Sequence, residues 1–170
     1  MAKFPVRVSA LQWAKPCLRP AHIPVSRRKK GVKAVGLRYE DRAAEAIYRA
    51  SNGASTQGQW WEYFDAVLGL RHCQTDVIIT GAYDPITDRQ NRYIVEVKLT
   101  EVEEARSKLE DLYLPIVRRA TADNVFGIVV SRHLTRTTAR HTVVDSLSAA
   151  MRAAHYTIPV LHWLAKGPSI

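Results

Sequence analysis

The run Val125-Phe126-Gly127-Ile128-Val129-Val130 carries no polar side chain. It is short for a helix and suits a strand covered on both faces. A strand of that kind needs a layer on each side, so this one segment already points to a sheet flanked by helices. The rest of the chain has to supply the neighbouring strands and the two covering layers.

The flanking segments are readable by period and punctuation. A helix is expected over about 33–50, closed by Ser51-Asn52-Gly53, with Leu37, Ala43, Ala44 and Ile47 on one stripe. Glu40 breaks that stripe from within it. Three extended segments follow: 59–64, rich in aromatics, then 75–80 and 93–99, with a long turn containing Gly81, Asp84-Pro85 and Asn91 between the last two. Thr100 and Glu103 have the spacing of a capping box, opening a helix with Val102, Ala105, Leu109, Leu112, Tyr113 and Ile116 on one stripe. Pro115 should kink or shorten it. After the apolar strand, a helix over 137–154 and a last strand over 157–163 are expected. The predicted class is α/β: an αβββαβ core with a mixed central sheet flanked by helices, plus a C-terminal helix and strand.

Charge divides the chain differently. Ten of the 25 Lys and Arg residues fall within residues 1–39, which hold no Asp or Glu; the remainder has 15 basic against 16 acidic side chains. The whole excess of +9 therefore belongs to the N-terminal quarter. Residues 1–30 read as a basic, proline-punctuated, irregular arm, with Phe4, Leu11 and Trp13 as points of attachment to a single domain over 31–166. Arg27, Arg28, Lys29, Lys30 and Lys33 are its candidate phosphate contacts, since Lys and Arg displace counterions from a nucleic-acid backbone. No apolar run approaches the roughly 18 to 20 residues that span a bilayer. Two cysteines and six histidines show no paired metal spacing, which argues against structural zinc and iron–sulfur clusters. No secretory signal core is visible, and prolines 5, 16, 20 and 24 interrupt the helix that a transit peptide needs, so a cytoplasmic protein is expected.

Strand alternation then isolates a cluster. In 93–99, Glu96 and Lys98 share a face with Ile94, while Tyr93, Val95, Val97 and Leu99 share the other. In 75–80, Asp76 is in phase with Ile78 and Gln74. If the two strands are neighbours, Asp76, Glu96 and Lys98 project from one side, with Gln74 beside them. Two carboxylates on an apolar face repel and resist burial unless paired. A divalent cation resolves the conflict, and Mg²⁺ is commonly held by one or two carboxylates plus water and phosphate oxygens. Asp76 and Glu96 are the candidate Mg²⁺ or Mn²⁺ ligands, Lys98 the group that assists the attacking water or the developing charge, and Glu40 a carboxylate that reaches the cluster from the first helix.

The pattern Asp76-x19-Glu96-Val97-Lys98 on successive strands of an αβββαβ core resembles the PD-(D/E)XK nuclease superfamily, which includes restriction endonucleases, archaeal-type Holliday-junction resolvases and RecB-type nucleases. Glu40 matches by position the acidic residue common on the first helix of that group. The resemblance covers about residues 33–131 and implies Mg²⁺-dependent hydrolysis of phosphodiester bonds, DNA as partner, and in many members a homodimer that cuts two strands. Thr75 stands where the named motif has proline. RecB-type members also use a Gln and a Tyr on the following helix. Tyr113 fits the second role, whereas no Gln lies on that helix and Lys108 is the nearest polar side chain.

Each residue also has a plainer reading. Glu40 suits the positive end of a helix dipole, Gln74 a strand end, and Trp60, Trp61 and Tyr63 a core rather than a base-stacking surface. A second class of function follows from the charge distribution: a non-catalytic nucleic-acid-binding or assembly protein that keeps the fold and works through its basic arm.

Overall fold

The computed structural model describes residues 6–24, 32–99, 102–134 and 139–145. The strands are β1 (Leu11–Cys17), β2 (Ser55–Gln57), β3 (Trp60–Asp65), β4 (Gly69–Gln74), β5 (Val77–Asp84), β6 (Arg89–Lys98), β7 (Asn124–Leu134) and β8 (Ala139–Asp145). The helices are α1 (Val32–Ala50), α2 (Val102–Lys108) and α3 (Leu114–Ala120), with a π-helical turn, Leu109–Tyr113, joining the last two. None of the described helices is long and apolar enough to cross a membrane.

The strands form two sheets: a five-stranded one in the order β2-β5-β6-β7-β8, and a three-stranded one in the order β1-β3-β4. In the larger sheet β5 and β6 are antiparallel, β6 and β7 parallel, and β7 and β8 antiparallel, so the sheet is mixed. The parallel β6–β7 pair requires a crossover, which α2, the π turn and α3 provide.

Alternation along the central strands assigns the two faces. Val77, Ile79, Tyr93, Val95, Val97, Ile128 and Val130 pack with Tyr39, Ala43, Ala44 and Ile47 of α1. Ile78, Ile94, Val125 and Val129 pack with Ala105, Leu109, Leu112, Tyr113, Leu114, Ile116 and Val117 of the crossover. The apolar run around Ile128 is a strand covered on both sides, as its composition requires.

Three expectations are corrected. The arm is not irregular throughout: β1 pairs antiparallel with β3, from Leu11↔Asp65 to Cys17↔Trp60. Pro16, which lacks an N–H, is tolerated because β1 lies at the edge of its sheet. Phe4 lies outside the described residues. The aromatic strand β3 belongs to the separate small sheet with β1 and β4, while the short β2 takes the outer place beside β5. Pro115 stands at the start of α3, directly after the π turn that interrupts the crossover helix. Finally, Ala139–Asp145 is strand where helix was expected, pairing with β7 from Ile128↔Asp145 to Leu134↔Ala139. Thr142, Val143 and Val144 are β-branched and suit that neighbourhood. The expected strand over 157–163 lies outside the described residues.

The small sheet packs its inner side chains, Trp61, Tyr63 and Cys73, against the crossover. Asp65 closes its far end. Although fully buried, it accepts backbone N–H groups from Ser9 and Ala10 at one oxygen and from Val67 and Leu68 at the other, at 2.8 to 3.1 Å. These donors, Ala10 foremost, hold its carboxyl below the usual range. The crossover is tied to the N-terminal segment as well. Pro115 has no N–H for the carbonyl of Asp111, four residues earlier, and that oxygen accepts the N–H of Val8 at 3.1 Å. Arg119 adds a bond to the carbonyl of Gln12 at 2.8 Å.

Candidate functional site

Asp76 occupies the bend between β4 and β5, where the backbone leaves one sheet for the other. Thr75 before it donates its N–H to the carbonyl of Gln59 at 3.0 Å, a bond that proline could not make. Its hydroxyl receives the indole N–H of Trp61 at 3.3 Å. The Asp76 carbonyl accepts the N–H of Gly58 at 2.9 Å, and carboxylate Oδ2 accepts the N–H of Val97 at 2.8 Å. The side chain therefore stands in for a strand partner at the end of β5 and is held against β6 beside Glu96.

Glu96 is 0% exposed, on the crossover face of β6. Oε1 accepts a hydrogen bond from Lys108 Nζ at 2.8 Å, whereas Oε2 is buried and finds no donor among the described residues: its neighbour is the Asp76 carboxyl, another acceptor, which it can bond only through a shared proton. Burial pushes the carboxyl up from its ordinary range and the charge of Asp76 pushes it further; Lys108 opposes both without cancelling them. Lys98, on the same face, lies 4.0 Å from Glu104 of α2. Glu40 is half-buried on α1, and its carboxyl is pushed up to about 7, first by burial and then by Asp76, with Lys98 and Lys108 acting the other way. The structure thus brings together Asp76, Glu96, Lys98 and Glu40, and adds Lys108.

Lys108 was only the nearest polar candidate on the sequence. Its position at the edge of an apolar helix stripe was the available signal. Burial alone would lower its pKa, but the carboxylates of Glu96, Asp76 and Glu40 outweigh burial and raise it. Its ammonium also lies 4.8 Å from the centre of the Tyr113 ring. Tyr113 is buried, and its hydroxyl donates to the carbonyl of Gln74. Gln74 contributes that carbonyl rather than its side chain, which is exposed and donates to the carbonyl of Gly58 at 3.0 Å. Trp61 and Tyr63 are core residues, and Trp60 is half-buried. Arg27, Arg28, Lys29 and Lys30 lie outside the described residues, and Lys33 lies in the first turn of α1.

The donor set suits a hard divalent cation. No three of the described His, Cys, Asp and Glu side chains converge as a preformed ligand group. What is present is a buried carboxylate with one unsatisfied oxygen next to a second carboxylate. Two oxygen ligands, with water and a phosphate completing the shell, are the usual protein share of a Mg²⁺ site. A cation there would satisfy Glu96 Oε2 and relieve the repulsion from Asp76. The chain matches no protein-family model, and no curated protein or solved structure is significantly similar to it.

Proposed function

We propose that this chain is a metal-dependent nuclease hydrolysing phosphodiester bonds in DNA, on a restriction-endonuclease-like core formed by α1, β5, β6, the crossover and β7. The observation that carries this reading is the buried Glu96, with one oxygen that finds no donor beside Asp76 and the other on Lys108. Burial of this kind weakens a fold unless a cation completes it.

Asp76 and Glu96 would hold Mg²⁺ or Mn²⁺, which when bound lowers the pKa of water and offsets charge at a phosphate. Asp76 is suited to this by its bond to Val97, which fixes the carboxylate's orientation. Lys98 is one-quarter exposed and so placed to meet a phosphate oxygen or orient the attacking water. Glu40, with its pKa near neutrality, can take up or release a proton at the cluster's edge. The basic segment before α1 would grip the backbone of the substrate, and the resemblance noted above favours DNA over RNA.

A second reading has its own support. Lys108 already places a positive charge on Glu96, as a cluster retained without catalysis would require. The chain would then bind nucleic acid through its basic N-terminal segment alone. A cleavage assay separates the two. Linear, circular, branched and single-stranded DNA is incubated with protein in Mg²⁺, Mn²⁺ or EDTA, alongside Asp76→Asn and Lys98→Ala. Cutting that needs both the ion and the two side chains supports the nuclease. Equal DNA binding by all three proteins with no cutting in any condition rejects it.

A further inference from the structure

We infer that Lys108 is a positioning residue that restricts the carboxylate cluster to a single divalent ion, and that the π turn is the device that puts it there. The inference rests on the metal-binding reading of Asp76 and Glu96 given above.

Two geometric facts carry it. Glu96 has two oxygens, and the ammonium of Lys108 occupies Oε1 at 2.8 Å, leaving Oε2 as the one directed to a cation shared with Asp76. A two-ion site places its ions about 3.5–4 Å apart. With Oε1 held by Lys108, Glu96 has one oxygen left to offer and cannot bind a separate ion through each. Charge points the same way. Three carboxyl groups, of Glu40, Asp76 and Glu96, stand among two ammonium groups, of Lys98 and Lys108, with Glu104 4.0 Å from Lys98. That ratio leaves enough acidic oxygen to offset one divalent ion, whereas a second would stand beside the Lys108 ammonium with no carboxylate of its own.

The placement of Lys108 depends on the local helix type. On an α-helix, residues five apart differ by about 140° around the axis, because each step turns about 100°. Lys108 and Tyr113 would then face different neighbours. Here the N–H of Leu114 bonds the carbonyl of Leu109, an i to i+5 closure that adds a residue to the turn. Lys108 accordingly lies over the Tyr113 ring, with the Tyr113 hydroxyl anchored on Gln74. The widened turn fits against β7 because residue 127 is glycine: a Cβ there would stand 2.7 Å from Leu109 Cδ2 and 3.0 Å from Leu114 Cδ1. The turn, the glycine and the tyrosine together aim one lysine at one carboxylate oxygen.

The test is Mn²⁺ binding by the full chain, followed by loss of the free-ion electron paramagnetic resonance signal and by melting temperature, with no activity readout. Wild type should take up one Mn²⁺. Lys108→Gln should bind the first ion on the order of tenfold more tightly, because a positive charge a few ångströms away is gone, and should admit a second. It should melt lower than wild type in EDTA and gain more from Mn²⁺. Lys108→Arg keeps the charge and should stay at one ion. Two ions on wild type, or unchanged affinity and stoichiometry in Lys108→Gln, overturns the inference while leaving a metal site in place. Should Lys108→Gln fail to fold, Lys108→Met, which keeps the apolar stem without the charge, carries the same expectation of a second ion, and a single ion on it overturns the inference. No Mn²⁺ on wild type at millimolar concentration, with Asp76→Asn indistinguishable from it, removes the metal reading and this inference together.

Discussion

Asp65 and Glu96 are both fully buried carboxylates at strand ends, one in each sheet, yet their surroundings are opposite. Asp65 is enclosed by four backbone N–H donors, so its charged form is the comfortable one, and it ties the N-terminal segment to the β3–β4 turn. Glu96 has one lysine, one unpartnered oxygen and a second carboxylate alongside, so its charged form is held at a cost. Burial alone therefore does not tell what a buried acid is for. The number and sign of the groups around each oxygen does.

The largest effect that would sharpen this contrast is on cleavage. Glu96→Gln, Asp76→Asn and Lys98→Ala should each reduce ion-dependent DNA cutting by about 100-fold or more in single-turnover assays. Asp65→Asn, assayed below its own melting temperature, should stay within a few-fold of wild type. A large loss in Asp65→Asn with none in Glu96→Gln would reverse the assignment of roles.

Melting temperature in EDTA at pH 8 should separate the pair by sign. Asp65→Asn should fall by about 5 °C or more, because an amide cannot accept from all four donors. Glu96→Gln should rise by a few degrees (about 2–4 °C per kcal/mol for a chain of this size), because a repelled, buried charge is removed. A Glu96→Gln protein that melts lower than wild type would mean that Lys108 fully compensates the charge.

Gly127→Ala tests the support beneath the site. The new Cβ would press on Leu109 and Leu114, costing about 1–3 kcal/mol. It should also loosen the Lys108–Glu96 pair, read as a change in Mn²⁺ stoichiometry. Unchanged melting would show that the π turn has room to spare.

The smallest effect is on pH dependence. Glu40 titrates near 7 folded against 4.5 in the unfolded chain, so between those values the folded state holds protons that the unfolded state has lost. Stability of metal-free protein should therefore fall as pH rises from about 4.5 to 7, by a few degrees, with Glu96 contributing in the same direction. Mn²⁺ should flatten the slope. Asp65 acts oppositely: its lowered pKa gives stability present above about 3.8 and lost as pH falls through its folded value. A melting profile that rises steadily from pH 5 to 8 in EDTA would contradict the account of the cluster.

Much of this was legible locally. The two faces of β6 followed from alternation in Tyr93–Leu99, and the covered strand β7 from its lack of polar side chains. Asp76, Glu96, Lys98 and Glu40 stood out because each is a charge set against an apolar pattern, and each comes to the same neighbourhood. The strands β1, β4 and β8 did not stand out. Leu11–Cys17 and Gly69–Gln74 lack clean alternation, and they are strands because β3 lies between them. Ala139–Asp145 mixes helical and extended preferences, and its pairing with β7 decides the outcome.

What the sequence determined by itself was the set of residues whose burial is regular and the few charges that violate it, because period and polarity are properties of neighbours along the chain. What only the tertiary structure decided was which oxygen of which carboxylate is satisfied. The donors to Asp65 come from residues up to 56 positions away, and the lysine on Glu96 arrives through a one-residue widening of a helix turn. Such pairings depend on through-space contacts of atoms a few ångströms apart, and no pattern along the chain encodes them directly.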